Sequence, residues 1–226
     1  MKPFMRVVAS GRRAVWRVAV WCAAVGWAGG GAAWVASAQA NQAYSGADAD
    51  AGVVSAAQWG SVPPPTSAYR SRRQEAITGL TVHHQGEIWQ ASSDVAAYLR
   101  RLQQWSRRER AWVDVPYHYI VAPDGRVYAG RDPQWAGDSN TDYDTMGQLQ
   151  VMLLGNFEVQ QPSPAQLQST ARLLGHLLAL YGLAPGRIQA HRHHTTQTVC
   201  PGERLMLVFE ELRGQAAALR AKDHLR

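Results

Sequence analysis

The chain is poor in cysteine, and its first 40 residues contain no acidic residue. Its 226 residues include two cysteines, Cys22 and Cys200. The first 40 residues hold five of the 23 basic side chains, so the remainder has 18 basic and 17 acidic ones. Its net charge is then +1, against +6 for the whole chain. Because the excess positive charge is confined to these residues, overall basicity gives no support for nucleic-acid binding, and we expect none.

Residues 1–40 have the layout of an export signal. A basic start precedes an apolar run from Val18 to Val35, and Ala38-Gln39-Ala40 offers a small-x-small cleavage site. We therefore predict a signal peptide and export to the periplasm or the extracellular space. The twin arginines Arg12-Arg13 raise the twin-arginine route as an option. An uncleaved membrane anchor is the alternative, because the run is about long enough to span a bilayer; membrane contact is expected only then.

Loss of the signal peptide would remove Cys22 and leave Cys200 as the lone thiol. A single thiol in an exported domain requires an explanation, since such compartments oxidise cysteine. Burial as a small hydrophobic residue is one explanation. Metal ligation and nucleophilic chemistry are the others.

Beyond the signal, the composition predicts three regions. Residues 41–70 are rich in Ala, Ser, Gly, Asp and Pro, which indicates a flexible tether or a wrapping arm. Strand-like and helix-like patterns then alternate over residues 71–214, and residues 215–226 are predicted to be a C-terminal tail. This mixture predicts an α/β fold, with one domain built on a mixed central β-sheet flanked by helices.

Five segments have the patterns of strands. Residues 77–85 are β-prone and end near His83-His84, and residues 149–157 are nearly all apolar, as in a strand buried on both faces. The turn Pro123-Asp124-Gly125 joins two short β runs into a hairpin. A further short strand ends at His191.

Three segments have helical spacing. In residues 92–110 the apolar positions follow a Ser-Ser-Asp start; they are Val95, Tyr98, Leu99, Leu102 and Trp105. Ser163 and Pro164 begin the second predicted helix, which Gly182 ends. The last helix begins near Gly202.

Two predicted strands thus end on histidine, at His83 and His191. Neighbouring strand ends lie close together, and Cys200 follows His191 by nine residues across a Thr-rich loop. Two imidazoles and a thiolate suit Zn²⁺ at the sheet edge, and a fourth position left open indicates catalysis. Alternatives remain at this point: His193 and His194 are rival ligands, and a thiol nucleophile with a histidine base has the same signature.

The motifs TVHH, VPYHYIVAPDGRVYAGRD and AHRHHTTQTVCPG resemble the zinc-dependent N-acetylmuramoyl-L-alanine amidases. That group shares its fold with the peptidoglycan recognition proteins and the T7-type phage lysozymes. The resemblance spans roughly residues 75–212. It implies one Zn²⁺ held by His83, His191 and Cys200. It also implies hydrolysis of the amide between N-acetylmuramic acid and L-alanine in peptidoglycan or muropeptides, by a protein that we expect to be a monomer.

The resemblance also assigns two catalytic residues. Tyr117 is expected to face the attacking water and the scissile carbonyl, and Thr198 to stabilise the intermediate. Two departures affect these expectations. The stretch from His191 to Cys200 is one residue longer than its commonest form, which keeps His193 as a rival ligand. The strand LQVMLLGNF lacks the glutamate base of some relatives, and Met152 falls near its position.

Other interpretations accompany this one. A module of the same fold that binds peptidoglycan without cleaving it is the alternative function. His84 and His118 alternate with candidate site residues along their strands, so we expect packing roles for both. Trp135 is mainly a candidate for the core or its rim. Because it follows the hairpin in a loop, an exposed ring that stacks on a sugar is the alternative.

Overall fold

The computed structural model of the protein describes residues 52–74 and 76–223, without the side chains of residues 70, 71 and 221–223. The predicted signal peptide, Cys22 and residues 41–51 of the predicted arm lie outside the described residues. Within the described part of the chain, no helix is both long enough and apolar enough to cross a membrane.

A five-stranded mixed sheet forms the centre of the domain, which confirms the predicted fold class. The strands are β1 (Gly79–His84), β2 (Tyr119–Val121), β3 (Val127–Ala129), β4 (Gln148–Leu153) and β5 (Ile188–Ala190). Their order across the sheet is β3-β2-β4-β1-β5. The β2–β3 hairpin is antiparallel, while the pairs β2–β4, β4–β1 and β1–β5 are parallel. In this register Met152 lies beside His83 on the neighbouring strand.

The predicted strand over residues 149–157 is shorter than its apolar run suggested. β4 ends at Leu153, because Gly155 adopts a φ of +133° and the chain turns there. The carbonyl of Asn156 accepts hydrogen bonds from the backbone amides of Val159 and Gln160. Phe157 is buried in the turn and not in a strand.

Among the described residues, four α-helices flank the sheet: α1 (Val95–Glu109), α2 (Pro164–Leu180), α3 (Glu203–Met206) and α4 (Phe209–Asp223). The side chains of Asp94 and Ser163 cap α1 and α2 by accepting backbone N–H bonds. Gly182, with a φ of +64°, follows the end of α2, as expected of a helix stop. The single helix expected from Gly202 is divided into α3 and α4.

Apolar side chains alternate between the two faces of the sheet. Leu80 and Val82 pack with α2 and α4 in one core cluster, and Ile120 and Met152 pack with α1 in the other. α4 runs past residue 214 to Asp223, and its Ala216 is fully buried. The last turns of this helix therefore extend into the segment predicted to be a tail.

Residues 52–74 wrap around the β3 side of the domain. Val54 pairs with the hairpin beside Tyr128, and the indole N–H of buried Trp59 donates to the carbonyl of Ala129 at 2.6 Å. The 3₁₀ helix Thr66–Arg72 follows, and its Tyr69 hydroxyl donates to Asp114 at 2.8 Å. Described residues of the predicted arm therefore pack against the hairpin and the segment after α1.

Candidate metal centre

The carboxyl ends of β1 and β5 bring two histidines together. His83 is the penultimate residue of β1, and His191 begins a short 3₁₀ helix directly after β5. Because the two strands are parallel neighbours, their carboxyl ends share one edge of the sheet. The ring centroids of His83 and His191 lie 4.6 Å apart. The strand pairing thus accounts for the meeting of side chains that are 108 positions apart in the chain.

Cys200 completes a three-residue cluster. Its Sγ atom lies 3.7 Å from Nδ1 of His83, and the ligand atoms of His83, His191 and Cys200 all lie within 4.8 Å of one another. Tetrahedral zinc with bonds of about 2.0 Å to nitrogen and 2.3 Å to sulfur separates such atoms by about 3.5 Å. The donor set and its spacing therefore fit one Zn²⁺.

The loop that carries Cys200 is held from several sides. The backbone amide of Arg192 donates to the carbonyl of Cys200 at 2.9 Å, and the backbone amide of His84 contacts Sγ at 3.4 Å. Gly202, with a φ of +95°, allows the chain to pass against Phe157, where a Cβ atom would come within 2.5 Å of the backbone. The residue after Cys200-Pro201 must therefore lack a side chain.

Burial sets the protonation states of the cluster. It lowers the pKa of His83 well below its ordinary value and that of His191 to about 4, so both rings are neutral at pH 7. Burial also raises the pKa of the Cys200 thiol to about 12. A nucleophilic cysteine has a lowered pKa, so the raised pKa of Cys200 gives no support to the thiol-nucleophile alternative.

The cluster opens into a cleft of about 580 Å³. One wall comes from α1 and the segment after it, with Arg101, Trp105 and Trp112. Residues 138–141, Gln197 and Thr198 also line the cleft. Glu87 and Asp138 are the carboxylates that line the cleft in the described part of the chain. Met152 is fully buried beside His83. This position therefore holds no carboxylate that could serve as the glutamate base found in some relatives.

Tyr117 and Thr198 both lie in the wall of this cleft. The ring centroid of Tyr117 is 5.3 Å from that of His83, and burial raises the pKa of its phenol well above the ordinary value. The phenol therefore keeps its proton at neutral pH. Thr198 Oγ1 accepts the backbone N–H of Cys200 at 3.1 Å, which ties this hydroxyl to the cysteine loop.

The other histidines are engaged elsewhere. Nδ1 of His193 accepts the backbone N–H of Ala190 at 3.1 Å, and its ring packs edge-on against Phe209. The His194 ring stacks on Tyr143 with centroids 4.7 Å apart. His84 Nδ1 accepts the backbone N–H of Phe157 at 3.2 Å. The cluster of ligand atoms contains none of these three histidines.

Sequence reasoning missed the loop that contacts His191. Nε2 of His191 lies 2.8 Å from the Thr141 hydroxyl and 3.3 Å from that of Ser139. Tyr143 packs its ring 5.0 Å from that of His191 and donates its hydroxyl to Gln150 at 2.6 Å. The sequence DSNTDYD, residues 138–144, has no periodicity or motif that predicts these contacts.

Trp135 is buried, as expected of a core residue, and the alternative of an exposed sugar platform is wrong. Its side chain is 7% exposed and stacks on Tyr69, with ring centroids 4.9 Å apart and planes 10° from parallel. Residues 52–74, the wrapping segment, cover the indole. The sequence after the hairpin does not predict this contact.

Comparison with known proteins agrees with this architecture. A peptidoglycan-recognition protein SD of Drosophila simulans is 27% identical over 164 residues, covering 70% of this chain and 84% of that protein. The endolysin of Escherichia phage T7 is 34% identical over 108 residues, covering 46% of this chain and 68% of the endolysin. A mutant of Drosophila PGRP-LB in complex with tracheal cytotoxin matches the fold with a TM-score of 0.59 at 21% identity, over 71% of this chain and 95% of that one.

The family model described as N-acetylmuramoyl-L-alanine amidase matches residues 73–203, a range that holds His83, His191, Cys200, Tyr117 and Thr198. This match covers more than half of the chain and confirms the resemblance found in its motifs. The chain therefore belongs to the N-acetylmuramoyl-L-alanine amidase family.

Proposed function

We propose that the protein is a zinc-dependent N-acetylmuramoyl-L-alanine amidase. Its substrate is the amide that joins the lactyl group of N-acetylmuramic acid to L-alanine, in peptidoglycan or its soluble fragments. The observation that carries the proposal is the buried His83, His191 and Cys200 cluster, which opens into a cleft beside Tyr117. Three protein ligands with an open fourth position are typical of catalytic zinc sites.

The three ligands are suited to one ion. The neutral imidazoles of His83 and His191 offer lone pairs without first losing a proton, and the Cys200 thiol loses its proton when a cation lies beside it. When bound, Zn²⁺ supplies a Lewis acid that polarises the amide carbonyl and lowers the pKa of a water molecule. Each ligand is 7% exposed or less, so bulk water does not screen the charge that develops.

Tyr117 and Thr198 are the proposed catalytic side chains. Tyr117 holds its phenolic proton at Oη, where it can donate to the developing oxyanion. The same hydroxyl can relay to the departing amine of L-alanine the proton that the attacking water gives up, so that the phenol ends the step protonated. No carboxylate stands beside His83 in the described residues to carry that proton, because Met152 is its neighbour on β4. Thr198 accepts the N–H of Cys200, which leaves its own proton free to be donated into the cleft.

The family relatives support a peptidoglycan substrate. One solved structure of similar fold is a PGRP-LB mutant in complex with tracheal cytotoxin, and an endolysin is similar over 108 residues. For this chain we propose export by the predicted signal peptide, action in the periplasm or outside the cell, and a monomeric state.

A digest of purified peptidoglycan with the full-length protein tests the proposal. Products are read by mass spectrometry, with and without a chelator and after zinc is restored. We expect stem peptides with a new amino-terminal L-alanine, their loss on chelation and their return with zinc. Cys200→Ser and Tyr117→Phe serve as matched variants in the same digest.

Two results would contradict the proposal. Peptidoglycan that is bound but uncut by a protein with a full zinc content would instead indicate a binding module of the same fold. Activity that survives chelation but is lost on thiol alkylation would indicate a cysteine–histidine hydrolase.

A further inference from the structure

The loop between β3 and β4 makes the hydrogen bonds of one proposed ligand. Thr141 Oγ1 lies 2.8 Å from Nε2 of His191, and Ser139 Oγ lies 3.3 Å from the same atom. Since Nε2 is taken up by hydroxyls, Nδ1 is the ring nitrogen that remains for a cation. The 2.8 Å distance is that of a well-formed hydrogen bond.

The two hydroxyls also hold each other. Ser139 Oγ and Thr141 Oγ1 are 2.8 Å apart, and Ser139 Oγ accepts the backbone N–H of Thr141 at 3.1 Å. Thr141 can accept the N–H of His191 and donate its own proton to Ser139 at the same time. The acceptor that faces His191 is therefore oriented in advance.

Both ends of this loop are anchored. Asp138 pairs with the fully buried Arg131 at 2.5 Å and with Arg72 of the wrapping segment at 3.2 Å. On the other side the backbone amide of Asp142 donates to Gln197 at 3.0 Å, and Asp142 accepts the Thr195 hydroxyl at 2.9 Å. The loop thus connects the wrapping segment to the stretch that carries His191 and Cys200.

We propose that Thr141 is a positioning residue for the metal centre. Its hydroxyl accepts Nε2–H of His191, which holds the ring in one tautomer and one orientation with the Nδ1 lone pair directed at the ion. The inference rests on the proposed zinc function. It adds a residue that makes no contact with the metal and that no sequence motif marked.

Loss of such a hydrogen bond lowers metal affinity by roughly 10- to 100-fold in characterised metal sites. Thr141→Val removes the acceptor and keeps the shape of the side chain, whereas Thr141→Ser keeps the hydroxyl. Thr170→Val is the matched control, because the Thr170 hydroxyl bonds the Gln166 carbonyl at 2.8 Å within α2, away from the site.

The test is competition for zinc against a chromophoric chelator with the full-length protein and these three variants. The visible spectrum of the Co²⁺-loaded protein, which reports ligand geometry without any turnover, is the second measurement. We expect Thr141→Val to bind zinc at least about ten times more weakly and to shift the Co²⁺ spectrum. Thr141→Ser and Thr170→Val should both behave as the wild type.

Two results are decisive against the inference. If the wild type binds zinc and Thr141→Val binds it equally tightly with the same Co²⁺ spectrum, Thr141 is not a positioning residue and the proposed function stands. If the wild type itself binds no zinc, the proposed function fails and the role of Thr141 fails with it.

Discussion

Two regions of the same sheet each contain buried, neutral histidines, and they differ in how the ring nitrogens are used. In the first region, around His118, Nδ1 accepts the backbone N–H of Gln150 at 2.8 Å and Nε2 donates to the carbonyl of Trp135 at 3.0 Å. In the second, around His83 and His191, His83 Nε2 has no hydrogen-bond partner among the described residues. Its Nδ1 faces the Cys200 thiol, and hydroxyls take up one nitrogen of His191.

The difference shows what separates a structural histidine from a candidate ligand. Backbone groups use the full hydrogen-bonding capacity of His118, so nothing is left for an ion. At the candidate metal centre Nδ1 of His83 faces the Cys200 thiol and no backbone group, and its Nε2 is without a partner among the described residues. Strand direction explains the two locations: His118 precedes β2, whereas His83 stands at the carboxyl end of β1, where parallel strands place their sites.

The largest expected effect is the loss of zinc binding when a proposed ligand is removed, which should occur in the second region and not around His118. Cys200→Ser replaces a thiolate with a neutral hydroxyl, so zinc affinity should fall by more than the roughly 100-fold at the upper end for residues that only support a ligand. Peptidoglycan cleavage should fall below detection. Metal content by mass spectrometry and the peptidoglycan digest measure the two losses. Cys22→Ser, which leaves Cys200 in place, is the control, and a fully active, zinc-loaded Cys200→Ser protein would refute the ligand assignment.

Tyr117→Phe tests the same region without removing a ligand. The variant keeps the ring against His83 but loses the proton donor, so turnover should fall by roughly 10²- to 10⁴-fold. Zinc content should stay at the wild-type level. Steady-state rates on a soluble muropeptide, measured with metal analysis, check this result; an unchanged turnover number with zinc bound would end the proton-relay role.

In the His118 region the expected effect is on stability. His118→Leu leaves the Gln150 amide and the Trp135 carbonyl without partners, at a cost of about 3 kcal/mol in unfolding free energy at pH 7. Urea denaturation measures this cost. Zinc affinity should change little, and a loss of zinc as large as that of Cys200→Ser would contradict the separation of the two regions.

The cost should also depend on pH. Burial lowers the pKa of His118 to about 3, while in the unfolded chain it is about 6.5. Between these values the unfolded state binds the extra proton, so wild-type stability falls as pH falls below 6.5, by about 1.36 kcal/mol per pH unit from this group. The difference between the wild type and His118→Leu should therefore shrink by about 2 kcal/mol between pH 7 and pH 5. A constant difference would show that His118 protonates in the folded state.

The smallest effect concerns the loop between β3 and β4, which contacts His118 through the Trp135 carbonyl and His191 through Thr141. Arg72→Gln removes the ion pair with Asp138, whose two side chains are 32% and 15% exposed. Such a partly exposed pair contributes about 1 kcal/mol, and zinc affinity should fall by only a few-fold through the loosened loop. Arg126→Gln, which breaks the more exposed Arg126–Asp124 pair, should leave both stability and zinc affinity unchanged.

Local patterns predicted much of the fold. The hairpin at Pro123-Asp124-Gly125, the Ser163 cap and the stop at Gly182 each depend on neighbours a few positions away, and the structure has all three. The end of β4 was misplaced because the apolar letters after Leu153 pack in a turn. Hydrophobicity alone does not distinguish a strand from a buried turn.

In the candidate site, too, some features could be predicted from the sequence and others could not. The sequence by itself determined which side chains can bind a metal. Residue type fixes imidazole and thiolate chemistry, and local patterns predict where strands end. Only the tertiary structure decided that His193 and His194 lie outside the cluster, that Trp135 is covered and that Thr141 contacts His191. These outcomes depend on contacts between segments distant in the chain, such as those of residues 52–74 with β3 and with the loop that follows it. No local pattern of residues encodes those contacts.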